Sequence, residues 1–315
     1  MHYIFLLRQL GLKIFGMGSK HTSAHFKIKD LPFLVARTFR NWLADNPWRL
    51  GAVVAYYAVL ALPGLLVIII NFVGAVWGVE IVQGELIDEI SQTIGADTGE
   101  AIKKMMEETQ QEDKNLVSTI LGIAILIYGA TGVFYQLQIS LNKIWKIPET
   151  PGPGIIKLIT DRARGFAFIL ALGFLMLVSF IVTAVISVLS NYFRSLLPDI
   201  VIYIAYTLDL LFSIGIITVL FALIFKYLPD ARIRWKTVWI GAFITALLFS
   251  LGKFLMGLYF GEANPGTTYG AAGTIVLILL WVSYSSMILF FGAEFTWVYA
   301  EQYGLGIKAS GRGSR

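Results

Sequence analysis

Six apolar stretches divide the chain: 50–77, 116–138, 165–190, 200–225, 237–259 and 270–300. Each is long enough for a helix to cross a hydrocarbon core of about 30 Å. Three carry no charge, and the others carry one each: Asp209, Lys253 and Glu294. The pattern predicts an all-α, polytopic membrane protein with six transmembrane helices.

Polar and small residues inside these stretches fall at helical spacing. In the first, Pro63 and Gly64 sit near the middle, where proline removes a backbone donor and a kink is expected. In the second, Gly122, Gly129, Gly132, Gln136 and Ser140 share a face, as close packing against other helices requires. In the fifth, Ala242, Ala246, Ser250, Lys253 and Gly257 form a small or polar stripe. The sixth opens on Tyr-Gly-Ala-Ala-Gly, with Gly270 and Gly273, carries Ser283 and Ser286 in mid-span, and ends near Glu294. It reads as the packing spine of the bundle.

The segments between differ in kind. Residues 78–115 hold ten acids and three lysines. Asp97-x-x-Glu100 has the form of a capping box, so a helical hairpin outside the membrane is expected. Leu31 to Trp42 places Leu31, Val35, Phe39 and Trp42 at helical spacing with Arg37 and Arg40 on another face, the pattern of a helix lying on a membrane surface. Arg8 and Lys13 interrupt the first apolar run, and no cleavable signal is read there. Residues 1–49 form an interfacial segment, 50–303 the membrane domain, and 304–315 a disordered basic tail.

Composition agrees with this division. The chain is 57% hydrophobic and 14% charged, against about a quarter charged for soluble domains. Its net charge of +5 needs no nucleic acid, because basic cytoplasmic loops supply it. Twenty of the twenty-five Lys and Arg lie in the N-terminal segment, the 139–165 and 226–236 loops and the tail. The positive-inside rule therefore puts both termini in the cytoplasm and the acidic loop outside.

That orientation gives the intramembrane charges a depth. Asp209 lies roughly 13 Å and Lys253 roughly 9 Å from the outer end of their spans at the helical rise. Opposite charges at similar depth point to an ion pair or a shared polar site, with Ser213 and Ser250 as neighbours. A static pair, or a lysine reaching the outer headgroups, is the alternative. Glu294 falls near the inner face, where a salt bridge with Arg162, Arg164 or the 226–236 cluster is expected.

Several chemistries are excluded. The chain has no cysteine, and His2, His21 and His25 all lie at its start, so no metal-ligand cluster is seen. No phosphate loop or nucleophile elbow is present. No catalytic residue, cofactor or metal is assigned.

The segments AVVAYYAVLALPGLL, ARGFAFILALGFLMLVS, YLPDARIRWKTVWIGA and YGAAGTIVLILLWVSY…FFGAEF, in this order, resemble the YihY/BrkB family of bacterial inner-membrane proteins. The resemblance runs from about Arg37 to Tyr303. It implies a six-helix inner-membrane protein. Relatives have carried a ribonuclease label, for which this sequence offers no support, and others are called transporters. The leading expectation is a transporter of a lipid or other amphiphile, with membrane lipids as partners. An ion-coupled carrier of a small solute using Asp209 and Lys253 is the second, and a non-transporting scaffold the third.

Overall fold

The computed structural model describes residues 28–77, 83–84, 87–88, 91, 99–100, 102–104, 106–107, 116–148, 198–263, 273–303 and 306–309; side chains at 28, 63–77, 116–127, 130, 198–210, 260–263 and 274 lie outside that description. The third apolar stretch, with Arg162 and Arg164 before it, lies outside the described residues, as does Gly270.

A short 3-10 turn, Ile28–Asp30, leads into α1, Leu31–Ala44. Pro32 sits in the first turn, where its missing N–H has no helical partner to lose. The helix ends at Asp45, whose N–H donates to the Asn41 carbonyl at 3.1 Å. Asn46 then takes φ 57°, a left-handed conformation that asparagine tolerates, and Pro47 opens the next helix. This α2, Pro47–Trp77, runs unbroken through Pro63 and Gly64.

Helix α3 covers Leu116–Ile144. It closes with Lys146 at φ 53°, with Ile147 N–H donating to the Asn142 carbonyl and Lys146 N–H to that of Lys143. This is a Schellman ending with lysine where glycine is usual. It sends Trp145 into the core, fully buried, with its indole Nε1 donating to the Ala293 carbonyl at 2.9 Å. Helices α4, Pro198–Tyr227, and α5, Trp235–Ala263, form an antiparallel pair, and α6, Gly273–Gln302, completes the described set.

The sixth helix is the hub. It packs against α1, α2, α3 and α5, whereas α4 leans mainly on α5. Close approach is built in with glycine. A Cβ on Gly51 of α2 would lie 2.8 Å from the Ser283 carbonyl oxygen of α6, and one on Gly129 of α3 would lie 2.7 Å from the Ala61 nitrogen of α2. A Cβ on Gly132 would run into the Tyr57 ring. The principal core lies at the end of the bundle that holds α1. There Leu50, Val54, Leu141, Trp145, Phe225, Val238, Ala242 and Phe290 meet from five helices.

Helical backbone is also described at residues 83–84, 87–88 and 91, and again at 99–100, 102–104 and 106–107. A Cβ on Gly99 would meet the Ser91 hydroxyl, so the two segments touch. Ile102 and Met106 are buried with Ile278 of α6, and Val59 and Leu62 of α2 pack on them. This acidic stretch is therefore seated on the bundle through its apolar positions. The tail departs from the expected disorder at two residues: Lys308–Ala309 (β2) pairs antiparallel with Ala231–Arg232 (β1) in the α4–α5 turn. Short strands need only free backbone edges, which hydropathy does not report.

Two described helices, Trp235–Tyr259 and Ile275–Gln302, are long and apolar enough to cross a membrane, and only 33% of either apolar window is buried. On α5 the side chains of Trp239, Phe243, Leu247, Leu251, Leu255 and Leu258 form an exposed stripe at helical spacing. Water would penalise such a stripe, and lipid would not.

Candidate functional site

The candidate site is a groove between α4 and α5. Leu211, Ile214, Gly215, Thr218 and Val219 line it from α4, and Trp239 and Phe243 from α5. Its volume is about 560 Å³ and it opens outward, sharing Trp239 and Phe243 with the apolar stripe of α5. The pair closes on one side of it, where Phe221, Ala222 and Phe225 pack with Val238, Ala242 and Ala246. Gly215 leaves room in the wall, since a Cβ there would meet nothing within 4 Å. Thr218 adds little polarity, because its hydroxyl donates to the Ile214 carbonyl of its own helix at 2.7 Å. Among the described residues, this wall offers no group to bind or move a proton.

Beyond Trp239 the character changes. Trp239 stacks on Trp235 with ring centroids 6.3 Å apart, and Trp235 meets Tyr227 edge-on at 6.1 Å. All three rings are exposed. The α4–α5 turn follows, with Arg232, Arg234 and Lys236 exposed. The turn is held rigidly. Lys226 donates to the Ile233 carbonyl at 2.6 Å and sits 5.3 Å from the Trp235 ring centroid. Asp230 accepts from Gln138 and Asn142 of α3, each at 3.1 Å, and its own N–H donates to the Asn142 side-chain oxygen at 2.9 Å.

The expected Asp209–Lys253 site fares differently. The side chain of Asp209 lies outside the described residues. Lys253 is exposed. Periodicity puts it on the face of Ala242 and Ala246, which are buried. From Ser250 to Tyr259, Gly252 is the one buried residue. Ser250 is half-buried and Ser213 exposed.

Glu294 is buried, and its described hydrogen bond comes from a residue not anticipated: Asn41 of α1 donates to its Oε1 at 2.7 Å. Beside it Arg37 pairs with Glu301, and the Trp42 indole donates to the Met287 carbonyl at 3.1 Å. Together these fasten α1 to α6. Leu34 and Thr38 face α6, whereas Leu31, Val35 and Phe39 face away from the bundle. Among the close-packing glycines, Gly129 and Gly132 touch α2, Gly273 is buried at the start of α6, and the surroundings of Gly122 lie outside the described residues. Gly241 and Gly292, which had no place in the expectation, make the tightest α5–α6 contacts. A Gly-x-x-x-Thr spacing in both helices is the signal that reveals them.

A second, smaller cavity of about 320 Å³ lies in the acidic stretch, among Gln83, Ile87, Asp88, Lys103 and Glu107. Met106, which is buried with Ile278 of α6, also lines it, and Asp88, Lys103 and Glu107 give it charged walls.

The chain matches known proteins over most of its length. A family profile described as "Virulence factor BrkB" matches residues 38–313. A UPF0761 membrane protein of Pseudomonas paraeruginosa is 31% identical over 199 residues, covering 62% of this chain and 45% of its own. UPF0761 membrane proteins of Azotobacter vinelandii and Saccharophagus degradans are 26% and 24% identical and cover 81% and 87% of this chain. The chain spans 45% of the first of these relatives and about 60% of the other two. No solved structure matches it. With apolar helices that leave most of their surface outward, relatives named as membrane proteins and a profile match across residues 38–313, this chain is a membrane protein and belongs to the BrkB family.

Proposed function

We propose that this protein is a multi-pass transporter of the bacterial inner membrane that moves a lipid or other amphiphile across or within the bilayer. The observation that carries the reading is the apolar α4–α5 groove, open on the same side as the exposed stripe of α5. A six-span topology with both termini in the cytoplasm follows from the distribution of basic residues. In that frame the groove opens to the hydrocarbon, and an acyl chain can enter it without crossing water. Its walls bind such a chain by apolar contact alone, which suits a path along which cargo must not be held tightly. Helix α1 lies in the inner interface, with Leu31, Val35 and Phe39 toward the lipid.

Reconstitution into liposomes tests the proposal. Fluorescent phospholipid in the inner leaflet becomes accessible to an external quencher in vesicles holding the protein, faster than in empty vesicles, without matching proton flux. Lipid movement no faster than in empty vesicles would rule the reading out.

A further inference from the structure

We infer that the α4–α5 turn is a binding site for the phosphate-bearing headgroup of an anionic membrane lipid whose acyl chain occupies the adjoining groove. The inference rests on the lipid reading above and gives it a headgroup chemistry.

The groove ends at Trp239, and Trp239, Trp235 and Tyr227 continue it as a ladder of exposed rings. Indole and phenol rings have an apolar body and a polar edge, which suits the level where acyl chain gives way to headgroup. At the end of the ladder stand Arg232, Arg234 and Lys236, all exposed and none paired with an acid among the described residues. The β1–β2 pairing sets Lys308 opposite Arg232 and adds a fourth exposed cation to the same edge. The turn's acid, Asp230, is hydrogen-bonded to the amides of α3. The N-terminus of the 29-residue α5 opens at the same place and favours negative charge there.

Each half of this arrangement narrows the ligand. A neutral lipid would satisfy the groove and leave four cations facing water. A small anion would satisfy the cations and leave the groove empty. An amphiphile with a negative head matches both, and two guanidinium forks set two residues apart in the turn suit the tetrahedral oxygens of a phosphate.

The test uses the full chain in liposomes that contain either photoreactive phosphatidylglycerol or photoreactive diacylglycerol, with the labelled peptides identified by mass spectrometry. Phosphatidylglycerol is expected to label peptides covering 211–219 and 239–243 in preference to others. In the triple variant Arg232→Gln, Arg234→Gln, Lys236→Gln its yield falls on the order of tenfold or more, from about fivefold per basic residue at a membrane surface. Diacylglycerol labelling at the same peptides stays as it was, which shows that the groove itself survives. Equal wild-type yields for the two lipids, or an unchanged phosphatidylglycerol yield in the triple variant, would overturn the inference. Lipid movement measured in the same vesicles separates the two proposals. Localised, charge-dependent labelling without movement defeats transport alone, and movement without such labelling defeats the headgroup site alone.

Discussion

The side chain of Thr245 stands in the space that a Cβ on Gly292 would take. The relation is returned between the same two helices, because Thr296 of α6 stands where a Cβ on Gly241 of α5 would be. Each threonine hydroxyl donates to the carbonyl of the glycine four residues before it, at 2.7 Å. Both threonine hydroxyls are thereby hydrogen-bonded, and each threonine side chain packs directly on the facing glycine. Alanine at Gly292 would put a Cβ onto the Thr245 hydroxyl oxygen and 2.8 Å from the Thr245 Cβ. Gly292→Ala and Gly241→Ala are each expected to lower stability by about 1–3 kcal/mol, the usual cost of overpacking. Gly257→Ala, on the same helix but facing open space, should be neutral or gain up to about 1 kcal/mol from helix propensity. Thermal unfolding in detergent checks all three, and an equal response would refute the interlock.

Asn41 and Glu294 lie 253 positions apart and share one hydrogen bond. Asn41→Ala leaves a buried carboxyl oxygen without its described partner, at about 1–3 kcal/mol. Glu294→Gln keeps an oxygen for the same amide and should cost less. Limited proteolysis reads the difference, since α1 loosened from α6 is cut between residues 28 and 46 sooner in Asn41→Ala than in Glu294→Gln.

Asn142 and Asp230 exchange two hydrogen bonds between α3 and the α4–α5 turn. Asn142→Ala removes both bonds and Asp230→Ala removes the one to its carboxylate, so the two variants share that bond. Their double variant should fall short of the sum of the single effects by about 0.5–3 kcal/mol. Additive losses in denaturant unfolding would mean that the clamp contributes nothing of its own.

Gly215→Leu fills the groove from within a wall that has room for it. Leucine is also the better helix former by about 0.8 kcal/mol or so. The variant should unfold no earlier than the parent and move lipid several-fold more slowly in vesicles. Unchanged movement in a stably folded Gly215→Leu protein would take the groove out of the transport path.

Hydropathy made the helices legible. The described helices α2 to α6 each overlap an apolar stretch, and boundaries shift by a few residues where turn chemistry intervenes, as at Asn46-Pro47. The site was less legible. Periodicity puts Lys253 on the face of Ala242 and Ala246, but it reports only an angle and does not say which groups meet the side chain. Asn41 was invisible because an asparagine in a basic amphipathic helix carries no signal until its partner is known. The groove was legible only in its parts. Trp239 and Phe243 are ordinary apolar residues in the sequence, and only the packing of α4 on α5 makes them a wall.

The seating of α1 on α6 also sets an order of events during synthesis. The contacts that hold α1, through Asn41, Trp42 and Arg37, all reach to residues between Met287 and Glu301. A ribosome adding about 5–20 residues per second makes α1 roughly ten seconds or more before α6. Through that interval Thr38, Asn41 and the Gly51 face of α2 have no partner from α6. The chain is then exposed to proteases and to wrong association, and completion of α6 is the step that covers these positions.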